Sequence, residues 1–154
     1  MVSLFVGLTC AVLAPASVRQ QPIPFSHRQH CAQVACSVCH ATAATGERAG
    51  MPSTSECMLC HNNLKKDSSP IRKLVEYDKE KKPVPWVRVY LLPDFVFFSH
   101  AKHAAAKVEC AACHGPVAQR SVLAEIHVKM KTCIDCHRMR GASIECNLCH
   151  ELAQ

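Results

Sequence analysis

Aromatic side chains are scarce here: five Phe, two Tyr and one Trp in 154 residues. Much of the rest is Ala, Lys, Pro and short polar residues, and a chain of that make-up struggles to bury enough apolar surface to fold unaided. Long apolar runs are missing too. Val2 to Ala14 is apolar but too short to cross a bilayer comfortably, and no Lys or Arg precedes it. Ala14-Pro15-Ala16 is an A-x-A-like cleavage pattern, so residues 1–20 are read as a secretory signal, with an uncleaved anchor as the alternative. Gly7-Leu8-Thr9 is a poor approach to a lipoprotein cysteine at Cys10. Nothing points to nucleic acid, since the Lys-rich runs read as solvated faces.

What the chain has is cysteine, twelve in all, ten of them in five copies of one pattern. Cys36–His40, Cys57–His61, Cys110–His114, Cys133–His137 and Cys146–His150 each read C-x-x-C-H. That is the attachment signature of c-type haem: two thiols add across the vinyl groups of one porphyrin, and the adjacent imidazole reaches its iron. The cofactor-binding cysteines are then Cys36, Cys39, Cys57, Cys60, Cys110, Cys113, Cys133, Cys136, Cys146 and Cys149. The proximal ligands are His40, His61, His114, His137 and His150. Zinc or a disulfide scaffold is the alternative, but zinc takes four ligands from two CxxC pairs, and five pairs leave one over. It also has no reason to demand His after every second Cys. Cys31 is left as a thiol without function.

Five covalently attached haem c groups resolve the shortage of core, at about 31 residues per cofactor. The porphyrins become the core, and folding depends on attachment. Each ferric bis-imidazole haem, with its two propionates, adds about −1, taking the formal +6 to roughly +1 oxidised and −4 reduced. Attachment of c-type haem takes place outside the cytoplasm, in agreement with export.

The chain is duplicated. Phe98-Ser99-His100-Ala101-Lys102-His103 mirrors Phe25 to His30 at an offset of 73, Cys110 mirrors Cys36 at 74, and Cys133 mirrors Cys57 at 76. This divides the haem domain, 21–154, into a first lobe over 21–61, a connector over 62–95 without Cys or His, and a second lobe over 96–154 that carries the fifth motif. In the connector, Ser69-Pro70 reads as a cap followed by proline in a first helical turn, with Ile71, Leu74 and Val75 as the apolar face and Pro83 as the stop. Trp86 to Leu92 reads as an extended segment packing on a porphyrin or on the other lobe, with a docking surface as the alternative. Short α-helices are expected at the motifs and much irregular chain elsewhere, with little or no sheet.

Ten histidines less five proximal ligands leave His27, His30, His100, His103 and His127 as distal ligands, one for each iron. Met130 stands near His127 as a rival thioether ligand, and Met/His ligation raises the potential relative to His/His. Two His at i, i+3 can point to different porphyrins and draw them together. With every iron capped on both faces, the protein conducts electrons and does not catalyse. The enzymatic alternative is a multihaem reductase with one open iron, against which stands the lack of any CxxCK motif. A third reading is a subunit of a polymerised cytochrome filament.

Phe-Ser-His-x-x-His followed by CxxCH resembles the cytochrome c3/c7 (class III) multihaem group. Pro22 to His27, Ala49 to Pro52, Cys57 to His61, Pro85 to Val89, Leu92 to Phe98 and Cys133 to Arg138 are similar to the pentahaem subunit of bacterial alternative complex III, a quinol-oxidising membrane assembly. The resemblance implies a periplasm-facing, mostly bis-His carrier. It would pass electrons from a quinol-oxidising membrane complex to redox protein partners. It also implies that His27 and His100 cap the haems beginning at Cys36 and Cys110, while His30 and His103 reach across to others.

Overall fold

A computed structural model describes residues 18–151. The signal or anchor reading of residues 1–20, apart from its last three residues, and the thiol of Cys10 lie outside them. In order, the elements are α1 (His27–Cys31), α2 (Cys36–Cys39), α3 (Thr54–His61), α4 (Ser69–Lys79), β1 (Tyr90–Leu91), α5 (His100–Ala105), α6 (Cys110–His114), β2 (Ile126–His127) and α7 (Met130–Arg140). Two single 3-10 turns, Val117–Gln119 and Cys146–Leu148, complete the set. Short helices joined by irregular chain dominate, and the sheet is one parallel pairing of Tyr90 with Ile126 and Leu91 with His127.

Local signals place the helices. Ser53 and Glu56 form a reciprocal capping box at the start of α3, satisfying two backbone N–H groups that the helix cannot. α4 begins one residue earlier than Ser69-Pro70 suggests, with Ser68 as the cap and Pro70 inside the first turn, where a missing N–H is harmless. α7 stops at Gly141, whose φ of +65° is left-handed and suits a residue without Cβ.

A small side-chain core sits between α3 and α4, built from Ile23, Met58, Ile71, Leu74 and Val84. Trp86 packs against this cluster and stands edge-on to Phe25 at 5.9 Å, so its first contacts are protein side chains. Among the described residues no large side chain is buried below 2 % exposure. Apolar positions inside the motifs face outward, with Val38 at 56 %, Leu59 at 80 % and Leu148 at 55 % exposure. A chain that leaves these apolar groups uncovered by its own side chains is the wrapping that a porphyrin core requires.

The two copies interlock reciprocally. The first-turn N–H groups of a helix have no partner within it. In α5, His100 N–H donates to the Glu47 carbonyl (3.2 Å) and Ala101 N–H to the Gly46 carbonyl (2.9 Å), both in the loop after the first motif. In α1, Arg28 N–H donates to the Arg120 carbonyl at 2.9 Å, in the loop after the third motif. Ser26 and Ser121 hydroxyls meet at 3.2 Å beside it.

Candidate haem sites

Four of the CxxCH motifs lie on helices, α2, α3, α6 and α7, and the fifth forms a 3-10 turn. One helical turn brings i and i+3 to the same face, so both thiols of a pair can meet one porphyrin edge. Neighbouring motifs crowd one another. Burial, and after it Glu56 and the thiols of Cys31, Cys36 and Cys60, push the Cys39 thiol up. Burial and then Cys136 do the same for Cys113, and burial followed by Cys113 and Cys149 for Cys133. The second motif thus lies beside the first, and the fourth beside the third and fifth. Among the described residues, no three His, Cys, Asp or Glu side chains converge as a zinc site needs.

Imidazoles from separate elements face one another across gaps of one size. The centroids of His30 and His61 are 6.1 Å apart, those of His100 and His114 6.3 Å, and those of His103 and His137 6.2 Å. A metal–nitrogen bond of about 2.0 Å, with about 1.1 Å from nitrogen to ring centre, puts two trans imidazoles about 6.2 Å apart. The gaps therefore fit one iron each. By the duplication, His27 and His40 correspond to His100 and His114, and the two are near enough for His40 to depress the His27 pKa after burial has done so. Burial likewise lowers His114, with His100 and His40 contributing. Both effects favour the neutral imidazole that binds a metal.

The tautomers agree with the gaps. Nδ1 of His30 lies 2.9 Å from the Ser26 carbonyl, that of His40 2.8 Å from Gly50, and that of His61 3.0 Å from Leu64. In the second copy the partners are Glu47 for His100 (2.8 Å), Ser99 for His103 (2.8 Å), Ser143 for His137 (2.6 Å) and Glu151 for His150 (3.2 Å). A carbonyl only accepts, so each Nδ1 carries the proton and each Nε2 keeps its lone pair for iron.

His127 differs. Its Nε2 is 2.8 Å from Glu125 Oε1, and its side chain is 70 % exposed. Glu125 also pairs with Arg19 and is held below the usual carboxylate range by that guanidinium first and by His127 second. Met130, the rival ligand, is exposed at the start of α7. The ring near His150 is Phe95, edge-on at 6.5 Å.

Aromatic side chains hold the rings of the two HxxH pairs. Phe25 stacks on His30 at 4.3 Å and stands edge-on to His27 at 4.9 Å. Phe98 repeats this with His103 at 4.7 Å and His100 at 4.8 Å. Tyr90 donates its hydroxyl to the His114 carbonyl at 2.6 Å, with its ring edge-on to the imidazole. The repeated Phe two residues before each HxxH is a readable signal for the first two contacts. Tyr90 and the Glu47, Gly50 and Ser143 carbonyls carry none.

The profile described as "Class III cytochrome C family" matches residues 9–84, and "Cytochrome c7 and related cytochrome c" matches residues 96–151. The menaquinone reductase, multiheme cytochrome c subunit, of Nitratidesulfovibrio vulgaris (Hildenborough) is 34 % identical over 137 residues, covering 87 % of this chain and 53 % of that protein. The chain thus spans about half the length of this relative. Matched in both halves of its duplication and carrying five haem-attachment motifs, the chain belongs to the class III, c3/c7-type, multihaem cytochromes c.

Proposed function

We propose that this chain binds five haem c groups, one at each CxxCH motif, and conducts electrons between a quinol-linked membrane complex and periplasmic redox partners. The observation that carries this reading is the common 6.1–6.3 Å gap between imidazoles of different elements. Proximal His61, His114 and His137 would be paired with distal His30, His100 and His103, and His40 with His27 by the repeat. When bound, each haem supplies a one-electron ferric/ferrous couple. The protein's part would be to fix the paired imidazoles, hold their tautomers through backbone carbonyls and crowd neighbouring motifs together. Complex membership rests on the relative's name and on the resemblance to the quinol-oxidising assembly.

By elimination, His127 would be the second ligand at the fifth motif, and its Nε2 would first have to leave Glu125. A second reading, one open iron at the fifth motif, is favoured by the bond that occupies that nitrogen. Mass spectrometry of the purified protein tests the haem count: five haem increments are expected, and a colourless or zinc-loaded product ends the proposal. Carbon monoxide added to the reduced protein separates the two readings. An unchanged Soret band in wild type that shifts by about one fifth in His127→Ala supports His127 ligation, and a shift of about one fifth already in wild type supports the open iron.

A further inference from the structure

The loop after the first motif holds histidines of two different sites. Inside it, Thr42 Oγ1 donates to the Arg48 carbonyl at 2.7 Å, and Gly46 N–H to the Thr42 carbonyl at 2.8 Å, closing the turn. Its Gly50 carbonyl accepts from His40, the proximal ligand of its own copy. Its Glu47 carbonyl accepts from both the backbone and the ring of His100, in the other copy. Gly50, at φ +76°, leaves no room for a side chain, since a Cβ there would come within 2.7 Å of Thr42 Oγ1. The mirror clamp on α1 is a backbone bond to Arg28, so this ring-to-carbonyl contact across the copies belongs to the His100 side.

We propose that the loop 42–50 is a positioning element shared by the first and third haem sites, with Thr42 the side chain that fixes it. Through it a carbonyl of the first copy supports an imidazole of the second. The inference rests on the haem reading above. A carbonyl accepting from Nδ1–H makes the imidazole a stronger donor, which would stabilise ferric iron. Loosening the loop weakens that support at His40 and His100 together, so both potentials rise. It also frees the His100 ring, which lies only 9° from the plane of His114.

The test is a redox titration of the holoprotein followed by optical and EPR spectra. Thr42→Val deletes the hydroxyl while keeping the shape. Two of the five midpoints should rise and three should hold. One riser should be the rhombic low-spin signal of the near-parallel His100/His114 pair, whose shape should change as well. Thr42→Ser should restore both, and Glu47→Ala should be silent, because only the backbone carbonyl is used. Should Thr42→Val fail to mature, Gly46→Ala carries the test: its Cβ meets the Arg48 and Thr42 carbonyls at 3.3 Å, displacing the loop slightly, and the same pair should rise. An unmoved rhombic signal, or five midpoints moving together, overturns the inference. Wild-type protein without haem overturns the functional reading instead.

Discussion

The rings of His100 and His114 are 9° from parallel, with centres 6.3 Å apart, and come from two consecutive helices. α5 supplies one ring and α6 the other, and the Glu47 carbonyl of the first copy fixes the orientation of the first. Replacing His100 should expose one iron. In His100→Ala, carbon monoxide added to the reduced protein should shift about one fifth of the Soret band more than in wild type. His100→Met should instead raise the potential of one haem while keeping it six-coordinate. A Soret response identical to wild type in the alanine variant would mean that His100 caps no iron.

Phe98 touches both histidine rings of the second HxxH pair, stacked on His103 and edge-on to His100. Such aromatic contacts contribute about 0.5–1.5 kcal/mol each beyond the area they bury. Phe98→Leu should therefore lower stability by about 1–3 kcal/mol in denaturant titration and change the EPR line shapes of two haems. Stability lost with all five signals intact would make Phe98 a packing residue only.

Leu74 is 5 % exposed in the small α3–α4 core. Removing a buried leucine side chain costs about 2–5 kcal/mol, and a core this thin can collapse around the gap, so Leu74→Ala should fall near 2. Hydrogen exchange should quicken in α3 and α4 and leave α7 unaffected. Uniform acceleration along the chain would show that α4 is no separate packing unit.

The Arg19–Glu125 pair stands beside the bridge between Val18 and Ala124. Because the Glu125 pKa is lowered in the folded protein, its contribution is present above the ordinary glutamate value of about 4.3 and is lost as pH falls through the lower folded value. Protection factors of the amides around Val18 and Ala124, corrected for intrinsic exchange, should fall on acidification below about pH 4, and Glu125→Gln should remove that fall. A pH-independent protection factor in wild type would show that the pair does not tie this segment down.

Haem attachment was legible in the residues because it is local chemistry: two thiols and an imidazole within five consecutive positions, placed by one helical turn. The α4 helix was legible for a similar reason, its proline and apolar spacing acting over a single turn, although the cap proved to be Ser68. Counting imidazoles makes His127 a ligand, but it cannot show that Nε2 faces Glu125, two residues back and just before β2.

By itself, then, the sequence determined the attachment chemistry, the duplication and the supply of ten imidazoles. Only the tertiary structure decided which rings share a gap: His30 with His61, His103 with His137, His100 with His114. The physical reason is reach. A thioether motif is set by the bonds of its own turn, whereas two imidazoles on one iron must be brought together by how separate helices pack. That packing depends on carbonyls such as those of Gly46, Glu47 and Arg120, whose partners no side-chain pattern encodes.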